Sequence, residues 1–317
     1  MPIALIALSV LLQAGTEGFL SGRLDVTSSL LFSLLAFVSS AAVFLLMSVL
    51  RGCRRPPAPR RPVRRLLWRM NIASAVTFLG FYLSLVWVPA ALAASLMAGV
   101  GPLAVALIDT VRRTGAPGRA SWARGGTLLA VSLLAALACV PPGELSRTGP
   151  TTVGGGALAV AAGFGAAYLA MVSRSLGTLG VDPVLVMAHR FHLTYAVAAL
   201  LLLSRGGPGG QEMAFGAAAV AGLLGVVLPL YLLQIGIQRC PPMVTMVLLT
   251  TLPGLTYVAQ VLFGDTFRPL SAVMITAMIA LALLFARIEQ RSRPVLRAAP
   301  AGAPKPVAAP PRRAGRG

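Results

Sequence analysis

The chain has 317 residues, 57% hydrophobic and 11% charged, with a mean hydropathy of +0.83. Soluble domains carry charge at about a quarter of their positions, so this composition excludes an ordinary soluble fold and places the chain in a bilayer. The formal net charge of +19 would suit a nucleic-acid binder in a soluble protein, but its placement along this chain follows the membrane instead.

Windows of about 17–24 apolar residues predict ten helical spans, near residues 3–20, 29–50, 71–88, 91–111, 123–141, 153–173, 183–204, 214–237, 242–263 and 270–288. The first lacks a basic leader region and a small-residue cleavage site, and it carries Gln13 and Glu17, so it is read as a span and not as a signal peptide. Glu17 is the one carboxylate clearly inside a span. It shares a helix face with Gln13 four residues earlier, and it is the candidate proton-coupling group. A hydrated side chain near the outer end of a short span is the plainer alternative. Eight arginines follow the second span within residues 51–70.

Residues 81–107 place Pro89 in a short connection and Pro102 in mid-span. A proline there removes a backbone donor and frees a carbonyl, which makes Pro102 a candidate break or hinge. Tyr82 is a candidate cavity residue. Asp109 precedes Arg112 and Arg113 by three and four residues, the spacing of a local helix-end ion pair. Trp68, Trp87 and Trp122 all fall at predicted span ends, where indole prefers to lie. The loop 141–152 is rich in Pro and Gly and divides the chain. Beyond it, Ala159, Gly163 and Ala167 recur every four residues, a small-residue face for close helix approach, and Tyr168 is a second candidate cavity tyrosine.

The seventh span carries Arg190, roughly 10 Å from its cytoplasmic end at 1.5 Å per residue. A guanidinium there could grip a substrate carboxylate; snorkelling or a structural pairing are the alternatives. His189 and His192 flank it, His189 being a second candidate for proton coupling. On the eighth span Tyr231, Gln234 and Gln238 form one polar stripe, fit for a cavity wall or for interhelical hydrogen bonds. The ninth repeats the earlier layout, with Pro241 in the connection and Pro253 in mid-span beside Thr250 and Thr251. The Pro/Ala/Arg tail after about residue 290 reads as disordered and near anionic lipid.

With the N-terminus inside, cytoplasmic loops and tail hold 22 of the 27 Lys and Arg residues, while Arg23, Arg147, Arg205 and Arg268 lie outside and Arg190 within a span. This positive-inside bias sets both termini in the cytoplasm and accounts for the net charge without nucleic acid. The residue bias, with one lysine in the whole chain, is that of a high-GC bacterial genome, so the expected location is a bacterial inner membrane.

Pro89 then Pro102 is answered by Pro241 then Pro253, and Leu24-Asp25-Val26 before the second span by Val181-Asp182-Pro183 before the seventh. The expected fold is therefore all-α: a polytopic membrane protein of ten transmembrane helices in two five-helix repeats, inverted because five is odd. The repeats span 1–145 and 146–289, with the basic tail at 290–317.

This layout, with Phe81-Tyr82-Leu83-Ser84, Val88-Pro89 and Gly101-Pro102-Leu103-Ala104-Val105-Ala106-Leu107, resembles the drug/metabolite transporter superfamily with two EamA-type repeats, and within it the threonine/homoserine exporters. The resemblance implies an inner-membrane exporter driven by proton exchange, for amino acids or similar small polar metabolites. Members often carry an arginine in the second span, where this chain has Ser33.

The expected function is proton-coupled export of a small polar solute by alternating access, self-protection against a natural product being one setting. Alternatives are a multidrug or sugar-phosphate exchanger of the same superfamily and a non-transporting membrane partner. Enzymatic function is not expected: the sole lysine, Lys305, precedes Pro306 and cannot belong to a P-loop, and no HExxH or GxSxG motif occurs. Cys53, Cys139 and Cys240 have no metal-like spacing, so neither metal nor cofactor is expected. The sequence leaves monomer and homodimer open.

Overall fold

The computed structural model describes residues 2–52, 60–112, 119–139, 149–207 and 222–292. The basic tail, most of the loop dividing the halves and the start of the predicted eighth span lie outside them. The described residues form twelve α-helices and no strand: α1 Pro2–Leu20, α2 Val26–Leu50, α3 Arg60–Ser84, α4 Ala90–Arg112, α5 Arg119–Cys139, α6 Pro150–Thr178, α7 Pro183–His189, α8 His192–Ser204, α9 Leu228–Arg239, α10 Pro242–Leu249, α11 Leu252–Leu262 and α12 Pro269–Ser292. One π-helical turn, Leu223–Val227, leads into α9.

Six stretches are long and apolar enough to cross a membrane: α1, α2, α3, α4, α6 and the joined pair α7–α8. Such a set suits a multi-pass membrane protein. The remaining apolar helices are shorter. Two stretches that read as continuous in the sequence are interrupted. The segment 183–204 breaks at Arg190 and Phe191, and 242–263 breaks at Thr250 and Thr251. α3 also begins at Arg60, well before the span start expected at residue 71.

The repeated aspartates have a shared task. Asp25 caps α2 by accepting the Ser28 N–H at 2.8 Å, and Asp182 caps α7 by accepting the Val184 N–H at 2.7 Å. Each satisfies a backbone donor that its helix leaves unpaired. The apolar residue before each cap, Leu24 or Val181, is buried. At Asp182 the approach is fixed further: just past the end of α6, Gly180 stands at φ +70°, and the Val181 N–H closes back onto the Leu176 carbonyl at 3.1 Å.

The cap of α2 also titrates. Hydrogen bonds from Ser28 hold the Asp25 carboxyl below its ordinary range. A carboxylate favoured in the fold contributes stability above its unfolded-state pKa and loses it as pH falls through the lowered value. Asp25→Ala is expected to cost about 1 kcal/mol at neutral pH, read as a shift in the SDS-unfolding midpoint, with the difference from wild type shrinking as the pH is lowered.

Packing follows the small residues. α6 is the hub, lying against both α3 and α4. Its Ala159, Gly163 and Ala167 face is buried, and a Cβ on Gly163 would stand 2.6 Å from the Met97 carbonyl of α4, so only glycine permits that approach. α1 packs in the same manner on α9 and α11, where a Cβ on Gly18 would meet the Gln260 nitrogen at 2.8 Å. α2 lies along α7 and α8, α5 along α12, and α4 touches α11.

Candidate functional site

The break between α7 and α8 exposes polar backbone inside an apolar core, and a side chain from α3 satisfies it. In an unbroken helix the Leu193 N–H would bond the His189 carbonyl, four residues earlier. Here the Asn71 amide stands between them. Its Oδ1 accepts from Leu193 N–H at 3.1 Å, and its Nδ2 donates to the His189 oxygen at 2.5 Å and to the Leu67 oxygen at 3.1 Å. One primary amide thus replaces one ladder bond with two bridges, and this accounts for a kink where the sequence has neither proline nor glycine.

Arg190 occupies the break and is fully buried. Its Nη1 donates to Gln234 Oε1 of α9 at 2.9 Å and lies 3.7 Å from Met187 Sδ, while Nε donates to Ser74 Oγ of α3 at 3.4 Å. The guanidinium carbon lies 4.8 Å from the ring centre of Phe191 and 5.5 Å from that of Phe78. These cation–π contacts compensate part of the lost hydration. No carboxylate among the described residues pairs with Arg190, and its Nη2 has no hydrogen-bond partner. Ser173 of α6 donates to the same Gln234 oxygen at 3.3 Å, leaving Gln234 Nε2 buried and unpartnered too.

The other sequence candidates are distributed more widely. Gln238, on the same stripe as Gln234, donates to the Val181 carbonyl at 3.3 Å, and its own carbonyl accepts from Arg174 at 2.9 Å. It braces the turn between α6 and α7. Tyr231 packs its ring on Phe44 at 5.0 Å. Tyr82 is buried edge-on to Phe32 at 5.2 Å and lies 6.2 Å from Phe37, which stacks in turn on Phe78 and Phe191. Tyr168 is partly buried against the main core. His189 Nδ1 lies 3.3 Å from His192 Nε2, and His192 Nδ1 lies 2.9 Å from the Tyr195 hydroxyl, a half-buried chain that runs across the break.

Glu17 is buried in the seam between α1 and α11, where its Oε2 accepts from the Thr256 hydroxyl at 3.1 Å. No cation among the described residues pairs with it. Gln13 turns away to Ser9 Oγ at 2.8 Å. Pro253 is the second residue of α11, directly after the break at Thr250 and Thr251. α4, by contrast, runs without interruption through Pro102. Ser33, the position matched to Arg190 in the first half, is buried within α2.

The structure therefore joins Arg190 to Gln234 and adds Asn71, Ser74, Ser173, Phe78 and Phe191, none of which the sequence had marked. No group of three or more His, Cys, Asp or Glu residues among the described residues is placed to hold a metal ion.

No protein-family model matches the chain, and no curated protein matches it. Chains of solved structures do match, 14 in number. One crystal structure superposes with a TM-score of 0.61 over 91% of this chain and 98% of its own length, at 21% identity. A likeness at that identity is one of fold alone.

Proposed function

We propose that this chain is an EamA-type member of the drug/metabolite transporter superfamily. In this reading it crosses a bacterial inner membrane ten times, with both termini in the cytoplasm, as two inverted five-helix repeats. It exports a small amino-acid-like or other polar metabolite in exchange for protons by alternating access.

The observation that carries the reading is Arg190, a fully buried cation with unsatisfied donors, held by Ser74 from the first half and Gln234 from the second. An unpaired charge in an apolar interior is costly unless a ligand or a pathway uses it. Transporters built from repeats place the solute site where the halves meet, on interrupted helices.

The helix pairing supports the repeat. Exchanging the halves turns the α6 contacts with α3 and α4 into the α1 contacts with α9 and α11. The α2 pairing with α7–α8 and the α5 pairing with α12 map onto themselves. The two Asp-capped helix starts, at Asp25 and Asp182, occupy matching places in this scheme.

The test is export from the purified chain in liposomes, loaded in turn with single amino acids and related metabolites and subjected to an imposed pH gradient. Movement of at least one such solute against its own gradient, dissipated by a protonophore, is the expected result. A chain that moves none of them, or moves one with no dependence on the proton gradient, fails the reading. Preferential movement of organic cations or sugar phosphates would assign it to the alternative exchangers.

A further inference from the structure

We propose that Arg190 and Gln234 form a seat for a single monoanionic carboxylate. Its use in export rests on the transport reading above; the binding itself does not.

The chemistry of the donors leads there. A guanidinium only donates, so the Gln234 amide must turn its oxygen toward Arg190, as the 2.9 Å bond requires. That oxygen also accepts from Ser173, which fills its two lone pairs. The Gln234 Nε2 then has nothing left to bond, and Arg190 Nη2 is in the same position. Two NH2 groups with four N–H bonds therefore stand buried without acceptors, on side chains already linked to each other. Buried donors are nearly always satisfied, so this pair is where an acceptor is best received.

The acceptor is anionic because the site holds one positive charge and no paired carboxylate among the described residues. It is planar and edge-on because Phe191 and Phe78 lie against the guanidinium at 4.8 and 5.5 Å. Its two oxygens can each take one of the open NH2 groups, one in a charge-assisted bond from Arg190 and one in an amide bond from Gln234. A monoanion brings the site to neutrality, whereas a phosphate dianion would leave a negative charge buried with no second cation. Ser74 already engages Nε and Met187 lies at Nη1 of the guanidinium, so one carboxylate completes the site.

The experiment uses the full chain in lipid nanodiscs with four probes: phenylacetate, acetate, phenylacetamide and inorganic phosphate. Phenylacetate and acetate are expected to raise the thermal unfolding midpoint saturably; phenylacetamide is not, nor is inorganic phosphate at a pH well above its second ionisation, where it is a dianion. Gln234→Leu is expected to weaken the apparent phenylacetate affinity about tenfold, the size of one charge-assisted hydrogen bond. Arg190→Lys is expected to weaken it as well, since an ammonium cannot hold Ser74, Gln234 and the ligand at the fixed directions of the guanidinium's separate nitrogens. Arg190→Gln is expected to abolish the response while leaving the unliganded midpoint equal to or above that of wild type, because it removes an uncompensated buried charge.

A wild-type chain that shows no saturable response to either carboxylate overturns the seat. So does an Arg190→Gln variant that keeps the response, or one whose unliganded midpoint collapses, which would make Arg190 a structural tie. Phosphate matching phenylacetate overturns the monoanion assignment. Carboxylate binding without any solute movement in liposomes would sink the transport reading and leave the seat standing; export unaffected by Arg190→Gln would leave transport standing and overturn the use of the seat in export.

Discussion

Asn71→Leu is expected to cost the protein about 2 kcal/mol or more and, with it, the position of Arg190. Leucine matches asparagine in shape but has neither the acceptor for Leu193 N–H nor the donor for His189 C=O. Each buried backbone group left unpaired costs about 1–3 kcal/mol. The chain can escape only by re-forming the helical bond between residues 193 and 189, which straightens α7 into α8 and swings Arg190 away from Ser74 and Gln234. Both routes disturb the same residue. The check is an SDS-unfolding series beside carboxylate binding for wild type, Asn71→Leu and Asn71→Asp, the last keeping an acceptor for Leu193 while losing the donor to His189. A wild-type unfolding midpoint together with wild-type binding in Asn71→Leu would show that something other than this amide opens the helix.

That dependence explains what the sequence discloses and what it hides. Helix starts are local events, so the Asp25 and Asp182 caps could be read as an echo between halves before their role was visible. Arg190 and Gln234 stood out because a polar side chain in an apolar span is conspicuous. Their union was not readable, since it depends on how α7 and α9 face each other across the core. The two breaks differ in the same way. That at Thr250 and Thr251 is signalled by Pro253, whereas that at Arg190 is imposed from α3 and leaves no mark in its own segment. Asn71 carries no such mark, because it lies at the expected edge of a span, where polar residues are ordinary. α3 starts at Arg60, which carries Asn71 well into the helix. Pro102 shows the converse limit: a mid-span proline signals one absent hydrogen bond, and α4 runs through it. Periodicity was equally blunt for Gln238, because the face it shares with Gln234 is met by more than one neighbour.

Glu17→Gln is expected to abolish uphill, pH-driven export while leaving solute counterflow without a proton gradient intact. The α1–α11 seam is close to backbone contact beside this residue, since a Cβ on Gly18 would stand 2.8 Å from the Gln260 nitrogen. Glu17 is therefore held in place by packing as well as by Thr256. Glutamine has the same shape and keeps an oxygen to accept the Thr256 hydroxyl, so the seam retains its contacts and the fold its stability. What disappears is the group that can take up and release a proton, and with it the only buried carboxylate among the described residues that no cation pairs with. Thr256→Val gives the opposite perturbation, removing the donor and keeping the carboxylate, and is expected to retain coupling. Uphill export by Glu17→Gln at the wild-type rate would remove this residue from the mechanism. Loss of counterflow together with coupling would place Glu17 in the movement of the helices and not in proton exchange.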